Sequence, residues 1–132
     1  MNVNRACQTC HKWTEDELRD RVFTIQDRTF ELRNIAIEAV VQLTNDIAAA
    51  VRADSTSPRV AQARDLQRKA QFLADFIEAE NSMGFHDQEA ACVLGRAIDY
   101  ARRGQIVLAG GDPGTYVPHS AVAPSRRRAP CD

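Results

Sequence analysis

Aromatic residues are scarce in this 132-residue chain, at 6%, and neither sign of charge prevails, with 17 Lys and Arg against 18 Asp and Glu and a net charge of -1. A balance that even gives no basis for binding nucleic acid by counterion release, so no nucleic-acid partner is expected. No apolar run approaches the roughly 20 residues that a membrane-spanning helix needs. The first ten residues also lack the hydrophobic stretch of an export signal. Proline and glycine are missing from the whole of Thr14 to Asp54, which removes the usual helix breakers from a third of the chain. At this length one domain with a modest core is expected.

What is present is mostly helical patterning. Thr14 followed by Glu15, Asp16 and Glu17 is a helix start, because a cap oxygen and acidic side chains complement the open amides of a first turn. Leu18, Val22, Ile25, Leu32, Ala36, Leu43 and Ile47 then recur at helical spacing. Phe23, Phe30 and Ile37 make a second stripe, and the two stripes predict two buried faces. The uninterrupted segment predicts one helix of about eleven turns. Asp54-Ser55-Thr56-Ser57-Pro58 predicts a reversal.

A second helix is expected from about Arg59 to Ser82, antiparallel to the first, burying Ala63, Leu66, Ala70, Leu73 and Ile77. Gly84 suits its C-cap. A shorter third helix from about Asp87 to Arg103 buries Ala90, Leu94, Ala97, Ile98 and Ala101, with Gly104 expected to close it. The fold class is therefore all-α: a long antiparallel helical hairpin with a third helix. An attachment segment at 1–13 precedes the helical scaffold at 14–104. From Gln105 onward glycine, proline and Arg126-Arg127-Arg128 dominate without periodicity, which predicts a disordered tail at 105–132.

Cys7-Gln8-Thr9-Cys10-His11 carries the chemistry. Two thiols three positions apart can each add to one vinyl group of a haem, and the adjoining histidine then becomes an axial ligand of the iron. A redox dithiol is the first competitor, but it belongs to a strand-helix-strand setting, and this chain reads as helix only. Structural zinc is the second, yet His86, Cys92, His119 and Cys131 fall in no finger-like spacing. Trp13 reads equally well as a haem neighbour or as packing. Cys92 reads as a small buried hydrophobe, Cys131 as adventitious, and no disulfide framework is expected. Dedicated machinery attaches haem c outside the bacterial plasma membrane. A short leader of six residues before Cys7 therefore suggests a fragment, a misplaced start or one part of a split gene.

The haem motif, Gln26-Asp27-Arg28, Arg33-Asn34, Arg68-Lys69-Ala70-Gln71-Phe72, Glu78-Ala79-Glu80-Asn81-Ser82 and Gly84-Phe85-His86 occur in that order. Together they resemble the C-terminal part of the ammonia-forming cytochrome c nitrite reductases, over about Cys7 to Gln105. The resemblance implies a pentahaem periplasmic enzyme that reduces nitrite to ammonium with six electrons and dimerises through long C-terminal helices. It makes Cys7 and Cys10 the covalent attachment points of the last haem c and His11 its proximal ligand. His86 becomes the distal ligand of a haem carried by the upstream part, although Asp87-Gln88-Glu89 follows it where the family typically has Ala-Pro and then acids.

The resemblance also implies an upstream region of the same enzyme that holds the catalytic haem and a calcium ion, and a redox donor such as a membrane quinol-oxidising cytochrome. No catalytic residue is assigned to this chain, and by itself it is expected to be inactive. Two other functions compete: a free-standing monohaem electron carrier, and a non-enzymatic helical dimerisation module.

Overall fold

The computed structural model describes residues 3–80 and 87–115. Four helices follow in order: α1 (Val3–Ala6), α2 (Glu15–Ala53), α3 (Pro58–Glu80) and α4 (Asp87–Leu108), with a 3-10 turn at Pro113–Thr115. The described residues contain no strand, and the protein is all-α as its patterning predicts.

The sequence sets the ends of α2 to within a residue. Thr14 is its N-cap: the Glu17 amide donates to Thr14 Oγ1 at 3.3 Å, and the Thr14 amide donates to Glu17 Oε2 at 3.0 Å, a reciprocal capping box. At the other end the Asp54 amide donates to Ala50 O, and Asp54 Oδ1 accepts from the amide and hydroxyl of Thr56 at 2.9 and 2.7 Å. That side-chain turn reverses the chain. Ser57 O then accepts the first amides of α3, with Pro58 in the first helical position, where its missing N–H costs nothing.

The 39 residues of α2 span about 58 Å, against about 35 Å for the 23 of α3. Arg33 pairs with Glu78 near the end of α3, so the part of α2 before that level projects past the hairpin. α4 runs back alongside α2. Ala36, Ile77, Ala90, Leu94 and Ala97 form one core cluster at one end, and Ala39, Val40, Leu43, Ile47, Ala63, Ala70 and Ala101 form another at the other end. Gln105 Nε2 donates to Asp46 Oδ2 at 2.7 Å and fixes the same register. The result is an up-down-up three-helix bundle.

Two expectations need correction. Gly104 does not close the third helix, which continues to Leu108. Gly104 is buried there because a Cβ on it would lie 2.6 and 2.8 Å from the two Cδ atoms of Leu43, so the absence of a side chain lets α4 approach α2. The cap is Gly110, at φ 87°: its amide donates to Val107 O and the Gly111 amide donates to Ile106 O, the paired bonds of a Schellman motif. Structure therefore extends into the segment expected as tail. Residues 116–132, with His119, Arg126-Arg127-Arg128 and Cys131, lie outside the described residues, as do Gly84 and His86.

The second correction concerns the phenylalanines. Phe23 and Phe30 are each 48% exposed, so these two positions of the second stripe of α2 do not form the buried face that the periodicity predicts. Phe72, at 68%, and Phe76 face away from the buried stripe of α3. Among the described residues the core is instead built from small side chains: eight of the seventeen buried apolar residues are alanine and none is aromatic. Alanine lets helices approach closely but removes little apolar area from water. The large aromatic side chains of Trp13, Phe23, Phe30, Phe72 and Phe76 are all on the outside.

Candidate haem-attachment site

The motif sits on a short helical step beside the projecting part of the fold. α1 is one turn, anchored by the buried Val3 and packed on α2. The Cys7 and Gln8 amides both donate to Val3 O, at 2.9 and 3.1 Å, and close that turn. A second turn follows at once, with the Cys10 and His11 amides donating to Cys7 O at 3.2 and 2.9 Å. Residues three and four apart on a turn share a side. Cys7, Cys10 and His11 are thus gathered on one turn by backbone bonds alone.

Cys7 is half-buried, Cys10 and His11 are exposed, and both thiols are free. This donor set fits haem c: two unpaired thiols and an accessible imidazole on one turn are what two thioether bonds and one axial bond require. Among the described residues no group of three or more His, Cys, Asp or Glu is placed to hold a metal ion.

The two residues between the cysteines also make specific bonds. Thr9 Oγ1 donates to Arg5 O at 3.0 Å, and Gln8 Nε2 donates to Trp13 O at 3.1 Å. Trp13 packs its ring against that of His11, with centroids 5.7 Å apart and planes 35° apart. It is therefore a neighbour of the candidate ligand itself. The capping box at Thr14 begins one residue later, and it holds the Glu17 carboxyl below its usual range, first through the Thr14 hydroxyl and then through the Thr14 amide.

Elsewhere, Arg33 Nε donates to Glu78, and the Arg33 guanidinium lies 5.6 Å from the centre of the Phe30 ring. The hydrogen bond from Arg33, followed by its charge, lowers the Glu78 pKa. Helical periodicity reads Glu78 only as part of a wet face and cannot reveal a partner 45 positions away. Arg68 and Lys69 pair with Asp65 on their own helix, at 3.5 and 2.7 Å, and are exposed. Cys92 is half-buried and disulfide-bonded, which replaces its reading as a small buried hydrophobe.

None of the helices among the described residues is long and apolar enough to cross a membrane. No solved structure matches the chain. Sequence comparisons do find relatives. A cytochrome c nitrite reductase subunit NrfA of Nitratidesulfovibrio vulgaris is 39% identical over 94 residues, which cover 66% of this chain and 18% of that protein. The cytochromes c-552 of Bacteroides fragilis and Parabacteroides distasonis are each 29% identical over 80% and 81% of this chain and 22% of their own length. The chain thus spans about a fifth of the length of these curated relatives. The cytochrome c552 family model matches residues 1–118, across the haem motif and all four helices, and the chain belongs to that family of c-type cytochromes.

Proposed function

We propose that this chain is the C-terminal, haem-bearing and dimerising part of a multihaem cytochrome c nitrite reductase, the six-electron enzyme that converts nitrite to ammonium. The observation that carries the reading is the single turn bearing Cys7, Cys10 and His11, in a chain whose family model runs through that turn and the bundle behind it. Haem c, when bound, supplies an iron centre that accepts and releases one electron. Cys7 and Cys10 hold it covalently and His11 ligates it from the proximal side. His86 serves as distal ligand to a haem of the upstream region. Burial and ligand identity set the potential, so the contribution of this chain is electron transfer and alignment rather than catalysis.

The outward apolar residues support a role inside a larger assembly. Phe23, Phe30 and Val41 recur at steps of seven and eleven along one side of α2, and all three are about half exposed. A lone small domain gains nothing from presenting such a stripe to water. In this reading the stripe is the seam of a homodimer, and the Phe72 and Phe76 face of α3 meets the upstream part of the same enzyme. Calcium belongs to that upstream part. The site of action is the periplasm, with electrons arriving from a membrane quinol-oxidising cytochrome, and the isolated chain does not reduce nitrite.

The test is the DNA preceding the Met1 codon. The proposal predicts an in-frame or frameshifted reading frame with four further haem motifs, one ending in lysine. A signal peptide with no further motif overturns it in favour of a monohaem carrier, and the absence of both favours a helical dimerisation module.

A further inference from the structure

The stretch between His11 and the start of α2 is held at two points. Gln8 Nε2 donates to Trp13 O at 3.1 Å, and one residue later the amide and hydroxyl of Thr14 both donate to Glu17 Oε2, at 3.0 and 2.7 Å. Trp13 is fixed between them. Its side chain is 60% exposed, yet its ring lies 5.7 Å from that of His11. A side chain so open to water gains little from burial. Its position against the imidazole follows from the backbone held on either side.

We propose that Trp13 is a positioning residue for the axial imidazole of His11, and that Gln8 holds Trp13 in place through its hydrogen bond to the Trp13 carbonyl. The proposal rests on the reading of Cys7, Cys10 and His11 as the haem attachment site. An aromatic ring beside an imidazole restricts its rotation and presents it with an oriented quadrupole. Neighbours that orient a ligand also tune the metal it binds. Gln8 thus has a task beyond spacing the two thiols, since it ties the attachment turn to the residue that flanks the ligand.

The experiment uses the full chain, matured with haem in a host that attaches haem c, together with Trp13→Ala, Trp13→Phe, Gln8→Leu and Thr9→Ala. Electron paramagnetic resonance of the oxidised haem and the oxidised-to-reduced ratio at a fixed poise are the readouts. Trp13→Ala is expected to move the g-values and change the ratio by roughly tenfold, the low end of what loss of a ligand-orienting neighbour does. Gln8→Leu, which keeps the indole but frees it, should shift both in the same direction by less, and Trp13→Phe should return both toward the parent.

Thr9→Ala loosens the same turn without touching Trp13 and should leave the spectrum unchanged. An equal shift in Thr9→Ala, or no shift in Trp13→Ala and Gln8→Leu, overturns the positioning role while leaving the attachment site intact. A parent chain that carries no covalent haem overturns the attachment site and this proposal with it.

Discussion

Replacing Gly104 by alanine probes the contact that sets the distance between α2 and α4. An added Cβ meets Leu43 Cδ2 at 2.6 Å, Cδ1 at 2.8 Å and Cγ at 3.3 Å, and Leu43 is fully buried, so its side chain has nowhere to retreat. Overpacking of this kind costs about 1–3 kcal/mol. Against it stands the helical preference for alanine over glycine, about 1 kcal/mol, because Gly104 lies inside α4. The net expectation is a loss of roughly 0–2 kcal/mol, the difference of those two effects.

Background decides the sign. Leu43→Ala alone loses about 2–5 kcal/mol through the cavity it leaves. In that background the new methyl enters vacated space, and Gly104→Ala should stabilise by about 1 kcal/mol. Urea unfolding followed by far-UV circular dichroism, run as a double-mutant cycle, measures a coupling of about 1–3 kcal/mol. If Gly104→Ala stabilises equally in both backgrounds, the close approach of Gly104 to Leu43 is refuted.

Two further perturbations follow from the ends and the cross-ties of the bundle. Thr14→Ala removes the N-cap oxygen of α2 and should lower stability by about 0.5–2 kcal/mol, with faster amide exchange confined to the first turn of that helix; unchanged exchange there would count against the capping box. Glu78→Gln removes the charge that Arg33 holds on α3. Because the pKa of Glu78 is lowered in the folded protein, its contribution is complete above the ordinary glutamate value and is lost as pH falls through the lowered one. The stability difference between parent and Glu78→Gln should therefore be flat around neutral pH and shrink in acid, and a difference that grows in acid contradicts the assigned pair.

Local chemistry was legible in the sequence wherever neighbouring residues decide the outcome. Thr14 and Glu17 announce the start of α2, Asp54 through Pro58 its reversal, and the cysteines with His11 the attachment turn. Non-local contacts were not. Gly104 and Gly110 carry the same helix-ending signal, and only the packing of Leu43 on Gly104 tells which one sits inside the helix.

Periodicity also assigned Phe23 and Phe30 to a buried face, because it reports that a face is apolar without saying whether its partner is in the same chain. Thr29 is polar, and apolar periodicity does not mark it. It is nonetheless buried, its hydroxyl donating to Ile25 O at 3.0 Å. The contact of Trp13 with His11 depends on Gln8 reaching across the turn, and no spacing rule contains that bond.

The most direct test of the central claim is the intact mass of the full chain after export and maturation in a host that attaches haem c, beside the Cys7→Ser and Cys10→Ser double variant. The account predicts a parent chain heavier by one covalently bound haem, and a double variant at the mass of its polypeptide alone. A parent chain that emerges at its polypeptide mass, with Cys7 and Cys10 both free, contradicts it.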